Sequence, residues 1–412
     1  DKINARAAAT LMPGETELQA IRRITDETIG WYHADMDALG ALPPQSGPHP
    51  EMNCEPRATE FIAPMVAMIE TLIAKGHAYA AEGHVLFNVA SYSEYGALSN
   101  QNLQKLRSGA RVEPGEYKPD DPMDFVLWKP STPDQPGWDG PKIDGESIGR
   151  GRPGWHIECS AMAYDLLGPS FDIHGGGIDL VFPHHENELA QSRAGGDAFA
   201  RYWMHNNFLI ERSGKMSKSA GEFLRLQLLI DKGFHPLAYR LMCLQAHYRS
   251  ELEFSWENLA AAFVRLKRMV MGVTRLRDIS AAHKGADFEP AKFVDQFDVA
   301  VSNDLNTPEA LLVLEAALAS ITKDREVQIA LVQKLDSVLG LNLFSLTRPD
   351  LRIRPKAAVI TEAEIEAALA ERREARAAKD FAKSDAIRDD LIAKGVEVMD
   401  GDPLGWDWKL EI

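Results

Sequence analysis

The spacing of hydrophobic residues changes along the chain, and the change predicts a mixed α/β first part and a mainly helical second part. Residues 10–40 carry the pattern of one amphipathic helix, from Glu15 to Met36, and residues 57–75 predict another helix that stops at Gly76. Short apolar runs at 85–89 and 124–128 lie among turns rich in Pro and Gly, which predicts strands. Long periodic stretches fill the second part and predict helices at 256–281, 307–321 and 326–339.

A different pattern begins after a glycine-rich boundary at 137–154. The runs Trp155–Cys159 and Phe171–His174 predict two short strands, each feeding a helix, and the second leads into the glycines at 175–177. Strands that each lead into a helix indicate a parallel sheet, in which ligands bind at the carboxyl ends of the strands. We therefore expect an α/β domain built on a parallel sheet.

The end of the chain predicts a small unit, joined to the rest by a linker between Pro349 and Pro355. Thr361 and Glu364 have the spacing of a capping box, which predicts a helix that runs to about Lys379. A second helix is predicted to begin at the cap Asp380 and to end at Gly395. The short apolar runs at 396–398 and 406–409 predict a small hairpin.

Composition narrows the class of protein without identifying its function. Of 412 residues, 45 % are hydrophobic and 26 % are charged, as in soluble globular chains. The longest apolar runs are interrupted by Glu, the N-terminus has no signal-peptide core, and 3 cysteines suit a reducing compartment, so we expect a cytoplasmic protein with no membrane partner. The net charge of −16 argues against indiscriminate nucleic-acid binding but leaves room for a local basic face.

A lysine-rich loop is the most specific chemical motif of the chain. It consists of Lys215, Met216, Ser217, Lys218 and Ser219, and glycines stand on both sides of it. Two ammonium groups on such a loop can close over a triphosphate and neutralise charge as pyrophosphate departs. The alternative is a solvated polar loop, which most clusters of Lys and Ser are.

Cys159, His184 and Glu188 are candidate zinc ligands. Cys159 is expected at the end of a strand, whereas His184 and Glu188 are four residues apart, so both side chains leave one face of a helix. Thiolate, imidazole and carboxylate suit zinc, and three protein ligands leave a position for a substrate. His185 and Glu186 point about 100° away and are weaker candidates. Ordinary core or surface roles remain the alternative for all of them.

The two predicted strand ends supply further candidates. Alternation along the first strand puts Trp155 on the same face as Cys159, as an aromatic wall beside the metal. His174 lies where the second strand opens into glycines, and Gly176 lets a flat ligand or a phosphate approach the backbone. Asp179 either holds ribose hydroxyls or caps the next helix.

Together these motifs resemble the cysteinyl-tRNA synthetases. The stretches that carry the resemblance are 154–162, 171–177, 182–188 and the loop at 215–219, and the similarity extends over the whole chain. It implies a class I synthetase, with a Rossmann-like catalytic domain split by an insertion and a helical C-terminal region. Such an enzyme activates L-cysteine with ATP and Mg²⁺ and transfers it to the 3′ end of tRNA(Cys), with one Zn²⁺ per chain selecting the thiol. We expect a monomer.

The resemblance also implies a role for each candidate residue. Cys159, His184 and Glu188 match zinc ligands, and Trp155 and His174 match the walls of the cysteine pocket. The residues that match the catalytic and ATP-binding positions are Lys215, Lys218, Gly176 and Asp179. Those that match anticodon contacts are Arg376, Phe381, Asp385 and Asp400.

The implied division of the chain starts within the first half of the catalytic domain, which ends at residue 52. The connective insertion follows at 53–150 and the second catalytic half at 151–212. The signature loop with the stem-contact region occupies 213–255, the helical bundle 256–348 and the anticodon-binding unit 355–412. The family's fourth zinc ligand, a cysteine, and its His-Ile-Gly-His motif would precede Asp1. Neither Cys54 nor Cys243 lies where it can replace that cysteine, so a protein beginning at Asp1 is expected not to activate cysteine.

Two other functions remain open. A related ligase joins cysteine to the amine of an amino-sugar inositol in mycothiol synthesis, and it has no use for an anticodon-binding end. A shortened chain could also be an inactive tRNA- or zinc-binding remnant. Arg372, Arg376 and Lys379 lie on one face of a predicted helix and form either an RNA-binding stripe or a solvated charged face.

Overall fold

The computed structural model of the protein describes residues 2–44, 55–101, 121–133, 135–211, 225–278, 287–400, 402 and 404–410. The helices are α1 Lys2–Ala9, α2 Glu17–Ala38, α3 Ile62–Ala74, α4 Trp155–Leu167, α5 Glu186–Gly195, α6 Leu226–Asp231, α7 Pro236–Leu244, α8 Trp256–Arg277, α9 Pro290–Ser302, α10 Thr307–Ala319, α11 Arg325–Leu339, α12 Glu362–Ala377 and α13 Phe381–Ala393. The strands are β1 Ala78–Ala81, β2 His84–Phe87, β3 Phe125–Pro130, β4 Trp138–Asp139, β5 Lys142–Ile143, β6 Glu146–Ser147, β7 Arg150–Pro153, β8 Ser170–Gly177, β9 Phe199–Asn206, β10 Leu209–Glu211, β11 Leu252–Phe254, β12 Val396–Val398 and β13 Trp406–Trp408.

These elements form two compact units. Pro43–Asn207 makes up one, which we call the sheet unit, and Asp1–Leu42 with Phe208–Ile412 makes up the other, the helical unit. The sheet unit is an α/β structure and the other is mainly α-helical, which confirms the expected fold class.

The sheet unit contains a five-stranded sheet in the order β1-β2-β3-β7-β4, with antiparallel neighbours. Side chains from this sheet and from α3 and α4 bury a common core that includes Ile69, Phe87, Trp128 and Ile157. A Cβ atom at Gly154 would collide with the carbonyl of Val126, so only glycine allows the chain to pass from β7 into α4 at this point.

A parallel pair of strands, β8 and β9, carries the candidate site of the sheet unit. In their register His174 is opposite Trp203 and Gly176 is opposite His205. The strand expected at Phe171–His174 and its parallel pairing are confirmed, but its partner is β9, which was not predicted. An irregular turn, Val181–His185, then leads directly into α5.

The expected strand at Trp155–Cys159 is wrong, because these residues form the first turns of α4. Ile157, Ser160 and Ala161 are the buried side chains of that helix, at helical spacing. Five residues are too few to distinguish the two-residue period of a strand from the 3.6-residue period of a helix, and the alternation within them was accidental.

The helix expected from Glu15 to Met36 is confirmed as α2, Glu17–Ala38. It begins after Thr16, which forms a capping box with Gln19, whereas α1 has already ended at Ala9, before Pro13 and Gly14. The pattern failed to predict α9, which begins at Pro290.

The helical unit is built around one large core, to which α7, α8, α10 and α11 contribute most of the buried side chains. A smaller core holds α12 and α13 against the hairpin of β12 and β13, with Trp406 and Trp408 buried in it. The predicted capping box at Thr361 and the predicted cap at Asp380 are both confirmed.

A buried ionic cluster ties the hairpin to α8. The carboxylate of Asp407 receives Lys267 Nζ and Arg348 Nη2, each at 2.5 Å, and Arg348 Nε also bonds Asp402 at 3.0 Å. The Arg352 guanidinium covers the ring of Trp406 at 3.8 Å. The hairpin is therefore held to the rest of the helical unit by charge as well as by apolar packing.

Candidate functional site

The three proposed metal ligands come together in the sheet unit. One ligand atom from each of Cys159, His184 and Glu188 lies within 4.8 Å of the others. Cys159 comes from α4, His184 from the irregular turn before α5, and Glu188 from the first turn of α5. Two separate elements therefore converge on one point, as a metal site requires.

Glu188 lies at the centre of this group. Its side chain is 0 % exposed, and its two carboxylate oxygens lie 2.8 Å from His184 Nε2 and 3.2 Å from His174 Nε2. Burial alone would raise the pKa of Glu188, but the two neighbouring rings outweigh burial and lower it. Neither oxygen has a partner with hydrogen-bond geometry in the part of the chain that the structure describes. A buried, ionised carboxylate of this kind fits a bound cation.

His184 is oriented by a second histidine. Its Nδ1 lies 2.8 Å from Nδ1 of His156, so its Nε2 is the nitrogen that faces Glu188. Burial, followed by the proximity of His184, lowers the pKa of His156 to about 4, which keeps that ring neutral. A metal-binding histidine whose other nitrogen is held in this way has a fixed orientation. His156 was not predicted, because a strand would have put it on the face opposite Cys159.

The other oxygen of Glu188 faces a second group, formed with His174 and His185. His185 Nδ1 in turn lies 2.8 Å from His205 Nε2. The prediction that His185 points away was wrong, because the turn that contains it is not a regular α-helix. Burial is the main cause that lowers the pKa of His185 to about 4.

Glu186 has a structural role, consistent with its lower rank as a ligand. Its carboxylate accepts bonds from the backbone N–H groups of Gly96 and Ser99 and from the Ser99 hydroxyl, at 2.7–2.9 Å. These bonds fasten the 95–99 segment to α5.

Trp155 flanks the group, as expected, although it does so from a helix. Its ring stacks on His184 with centroids 4.2 Å apart, and 57 % of the residue is exposed. Four residues span about one helical turn, so Trp155 and Cys159 share a face of α4 as they would have on a strand. Burial, with Glu188 and Glu158 nearby, raises the pKa of Cys159 to about 12, so the thiol is neutral without a cation.

The residues present fit a zinc ion. The set contains sulfur, nitrogen and oxygen donors, a buried carboxylate whose oxygens are not satisfied, and a supporting histidine. It would leave room for a further ligand, because three protein donors do not complete a tetrahedron.

Gly176 lies close to the second group of ligands, and Asp179 follows three residues later. A Cβ atom at Gly176 would come within 3.0 Å of the His185 ring, so glycine permits the close approach of β8 to that ring. Asp179 is exposed and lies inside a short 3-10 turn, Ile178–Leu180, with no side-chain cap bond. The alternative that Asp179 caps a helix therefore loses support. The loop of Lys215, Met216, Ser217, Lys218 and Ser219 lies outside the described residues.

The four predicted anticodon residues lie in the C-terminal part of the helical unit. Phe381 is the first residue of α13 and is 61 % exposed. Asp400 receives Arg372 at 2.8 Å and Arg376 at 3.7 Å, while Asp385 pairs with Arg388 at 3.1 Å. Arg372 itself is buried, so it is neither a free RNA-binding cation nor part of a solvated face.

Two family models and several curated relatives match this chain. The family described as "tRNA synthetases class I (C) catalytic domain" matches residues 1–264, and "Cysteinyl-tRNA ligase anticodon binding domain" matches residues 361–403. A cysteine–tRNA ligase of Novosphingobium aromaticivorans is 52 % identical over 368 residues, covering 86 % of this chain and 72 % of the relative. Another, of Roseobacter denitrificans, is 45 % identical over 408 residues, covering 99 % of this chain and 81 % of the relative.

Among solved structures, the methionyl-tRNA synthetase of Mycobacterium tuberculosis in complex with methionyl-adenylate is similar in fold. The TM-score is 0.53 at 13 % identity, and the match covers 85 % of this chain and 83 % of that one. At this identity the likeness speaks for the fold alone. None of the helices that the structure describes has the length and apolar character needed to cross a membrane.

Proposed function

We propose the following function for this chain, which belongs to the cysteine–tRNA ligase family: ATP-dependent activation of L-cysteine and transfer of the cysteinyl group to tRNA(Cys). The observation that carries the proposal is the convergence of Cys159 and His184 on the buried carboxylate of Glu188. The chain that contains this group also matches an anticodon-binding domain.

The chemistry asks the protein mainly for positioning and charge stabilisation. The carboxylate of cysteine attacks the α-phosphate of ATP in line, which forms cysteinyl-adenylate and releases pyrophosphate. The terminal ribose hydroxyl of tRNA then takes the cysteinyl group, and AMP leaves. In this scheme Lys215 and Lys218 neutralise the departing pyrophosphate, Mg²⁺ accompanies ATP, and Gly176 and Asp179 lie along the nucleotide.

Selection of cysteine over serine is assigned to the site around Glu188. Cys159, His184 and Glu188 would hold the zinc ion, and His156 would keep the His184 ring in place. Bound there, zinc supplies a soft Lewis acid that takes a thiolate far better than a hydroxyl and makes the thiol easier to ionise. Trp155 and His174 would enclose the substrate side chain. Trp155 stacks on His184 and His174 lies 3.2 Å from Glu188, which supports this assignment.

Recognition of the tRNA anticodon is assigned to Arg376, Phe381, Asp385 and Asp400. The exposed ring of Phe381 offers a stacking surface, and the carboxylates of Asp385 and Asp400 can accept bonds from base edges. Arg372 holds Asp400 through both of its oxygens, at 2.8 and 3.2 Å, which orients that carboxylate in advance. A cytoplasmic, monomeric enzyme is part of the same proposal.

The amino-sugar ligase of mycothiol synthesis shares the catalytic motifs and is the competing function. An enzyme of that kind binds no tRNA and needs no anticodon-binding domain. The match of residues 361–403 to such a domain therefore favours the tRNA ligase.

The test uses the full-length product of the gene that encodes this chain. Cysteine should drive exchange of pyrophosphate into ATP and serine should not, and tRNA(Cys) should become charged. In the cobalt-substituted protein, cysteine should strengthen a thiolate charge-transfer band and serine should leave it unchanged. An unchanged band with cysteine would contradict direct ligation of the substrate. Exchange without charging, together with ligation of cysteine to an amino-sugar inositol, would favour the competing function.

A further inference from the structure

Helix α8 concentrates positive charge in a chain whose net charge is −16. Among its 22 residues Glu257 is the acidic side chain of the first turn. The basic residues of the helix are Arg265, Lys267, Arg268, Arg275 and Arg277. A basic helix in an acidic protein calls for a local explanation.

Three of these five cations are engaged within the helical unit. Arg265 forms a two-pronged pair with Glu315 at 2.7 Å, and Lys267 meets Asp407. Arg277 bonds the carbonyl of Phe344 at 2.6 Å and covers its ring. Intramolecular contacts therefore account for these three residues.

The two remaining arginines of α8, Arg268 and Arg275, are exposed. Neither makes a hydrogen bond or an ion pair to any residue of the described ranges. They are seven residues apart on one face, which separates them by about 10 Å along the helix axis. Their charge is available to an external ligand.

Both arginines line a cleft between α8, the end of α10 and the start of α11, with a volume of about 580 Å³. Part of its wall is apolar, with Met269, Leu318 and Ile321 among the lining residues, and Ile321 is 76 % exposed. Glu315, which is paired with Arg265, and Arg325 also line the cleft. At Gly272 a Cβ atom would come within 2.9 Å of Leu318 Cδ2, so glycine allows α8 and α10 to approach closely at the base of the cleft.

We propose that this cleft binds one nucleotide of the tRNA, with Arg268 and Arg275 contacting the phosphates on its two sides and the apolar wall covering its base. Two cations about 10 Å apart on long side chains suit successive phosphates of one strand, and an aliphatic wall suits the face of an unstacked base. The inference rests on the proposed function, because it takes the RNA to be tRNA. It adds a contact surface outside the anticodon residues and the metal site.

The test compares R268Q/R275Q with K292Q/K334Q. Lys292 and Lys334 are exposed lysines of α9 and α11 that do not line the cleft, so both double variants change the net charge by the same amount. Binding of a tRNA(Cys) transcript to the full-length gene product is followed by fluorescence anisotropy at several salt concentrations. Two lost phosphate contacts should reduce the slope of log K against log salt by about 1.5 in R268Q/R275Q. The slope of the lysine variant should stay close to that of wild type.

Equal slopes and affinities for the two double variants would overturn the inference. Free AMP that displaces tRNA from wild type but not from R268Q/R275Q would also overturn it, because the cleft would then bind a free nucleotide. R268K/R275K should keep most of the slope. I321D, at a largely exposed position, should weaken tRNA binding even if R268Q/R275Q proves unstable, and unchanged binding by I321D would contradict the role of the apolar wall.

Cysteine-dependent pyrophosphate exchange separates this inference from the proposed function. It should be the same in wild type and in R268Q/R275Q, since activation of cysteine needs no tRNA. Absence of exchange in wild type would contradict the proposed function, whereas the salt slopes would still decide the role of the cleft.

Discussion

The ionic cluster around Asp407 gives a stability prediction whose size follows from the contacts. Asp407→Asn removes the charge that faces both Lys267 and Arg348 in a setting where the three side chains are 6 %, 15 % and 5 % exposed. Loss of one partner from a buried ion pair costs about 3–5 kcal/mol, because the other charge stays buried without compensation. Arg348 keeps Asp402 at 3.0 Å, and an asparagine oxygen can still accept from the Trp408 N–H. We therefore expect Asp407→Asn to lower the free energy of unfolding by an amount at the lower end of this range, about 3 kcal/mol.

The measurement is urea unfolding followed by tryptophan fluorescence, to which the buried Trp406 and Trp408 contribute among the 8 tryptophans of the chain. A chain with two compact units need not unfold in one step, so the transition that shifts in Asp407→Asn is analysed by itself. A loss of this size should lower its midpoint by about 1 M or more. Asp390→Asn is the control, because it breaks an exposed pair with Lys394, and such a pair contributes about 1 kcal/mol at most.

A double-mutant cycle identifies the cause. Lys267→Met in the Asp407→Asn background removes one of the uncompensated cations, so the double variant should be more stable than the sum of the two single changes predicts. Additive effects, or an Asp407→Asn variant within 1 kcal/mol of wild type, would refute the view that the cluster holds the hairpin to α8.

Three further predictions concern the metal site, a helix cap and the signature loop. Cys159→Ser should lower the zinc content measured by mass spectrometry after dialysis, whereas Cys243→Ser in α7 should leave it unchanged, because a hydroxyl is a poorer ligand than a thiolate. Burial lowers the pKa of His235, whose Nδ1 accepts from the Leu237 N–H at the start of α7, so this stability is complete above the unfolded value of about 6.5 and is lost as pH falls below it. His235→Asn, which keeps an acceptor that does not titrate, should lose less stability than wild type between pH 7 and pH 5. Lys218→Ala should slow pyrophosphate exchange about 10²–10³-fold with little change in the affinity for cysteine, and a change in KM alone would contradict the role assigned to that lysine.

Local signals allowed most of the C-terminal elements to be predicted from the sequence. The capping box at Thr361, the cap at Asp380 and the positive-φ glycine Gly395 act within a few residues of chain, so the pattern contains all that determines them. The secondary structure of residues 155–159 was harder to predict. Whether these residues form a helix or a strand depends on which of their side chains the rest of the sheet unit buries. Ile157 is fully buried in a core shared with Trp128 and Phe87, and that core lies outside any local window.

The metal candidates could be predicted and their supporting residues could not. Cys159, His184 and Glu188 carry donor atoms at recognisable spacing, and their convergence holds for a helix as well as for a strand. His156, His185 and His205 depend on where two elements and an irregular turn place them in space. A run of neighbouring histidines was the one signal in the sequence, and helical geometry applied to it gave the wrong direction for His185.

The placement of cations constrains how an acidic protein of this kind binds RNA. In the described part of the helical unit, Lys267 and Arg348 are neutralised by Asp407 and Asp402, and Arg372 and Arg376 meet Asp400. Cations already paired within the protein release few counterions from RNA, and counterion release is the source of non-specific affinity. Arg268 and Arg275 are the exception on α8, so we expect a shallow salt dependence in which these two residues account for a large share of the slope. Discrimination among tRNAs must then come mainly from contacts with bases, for which Arg376, Phe381, Asp385 and Asp400 are exposed candidates.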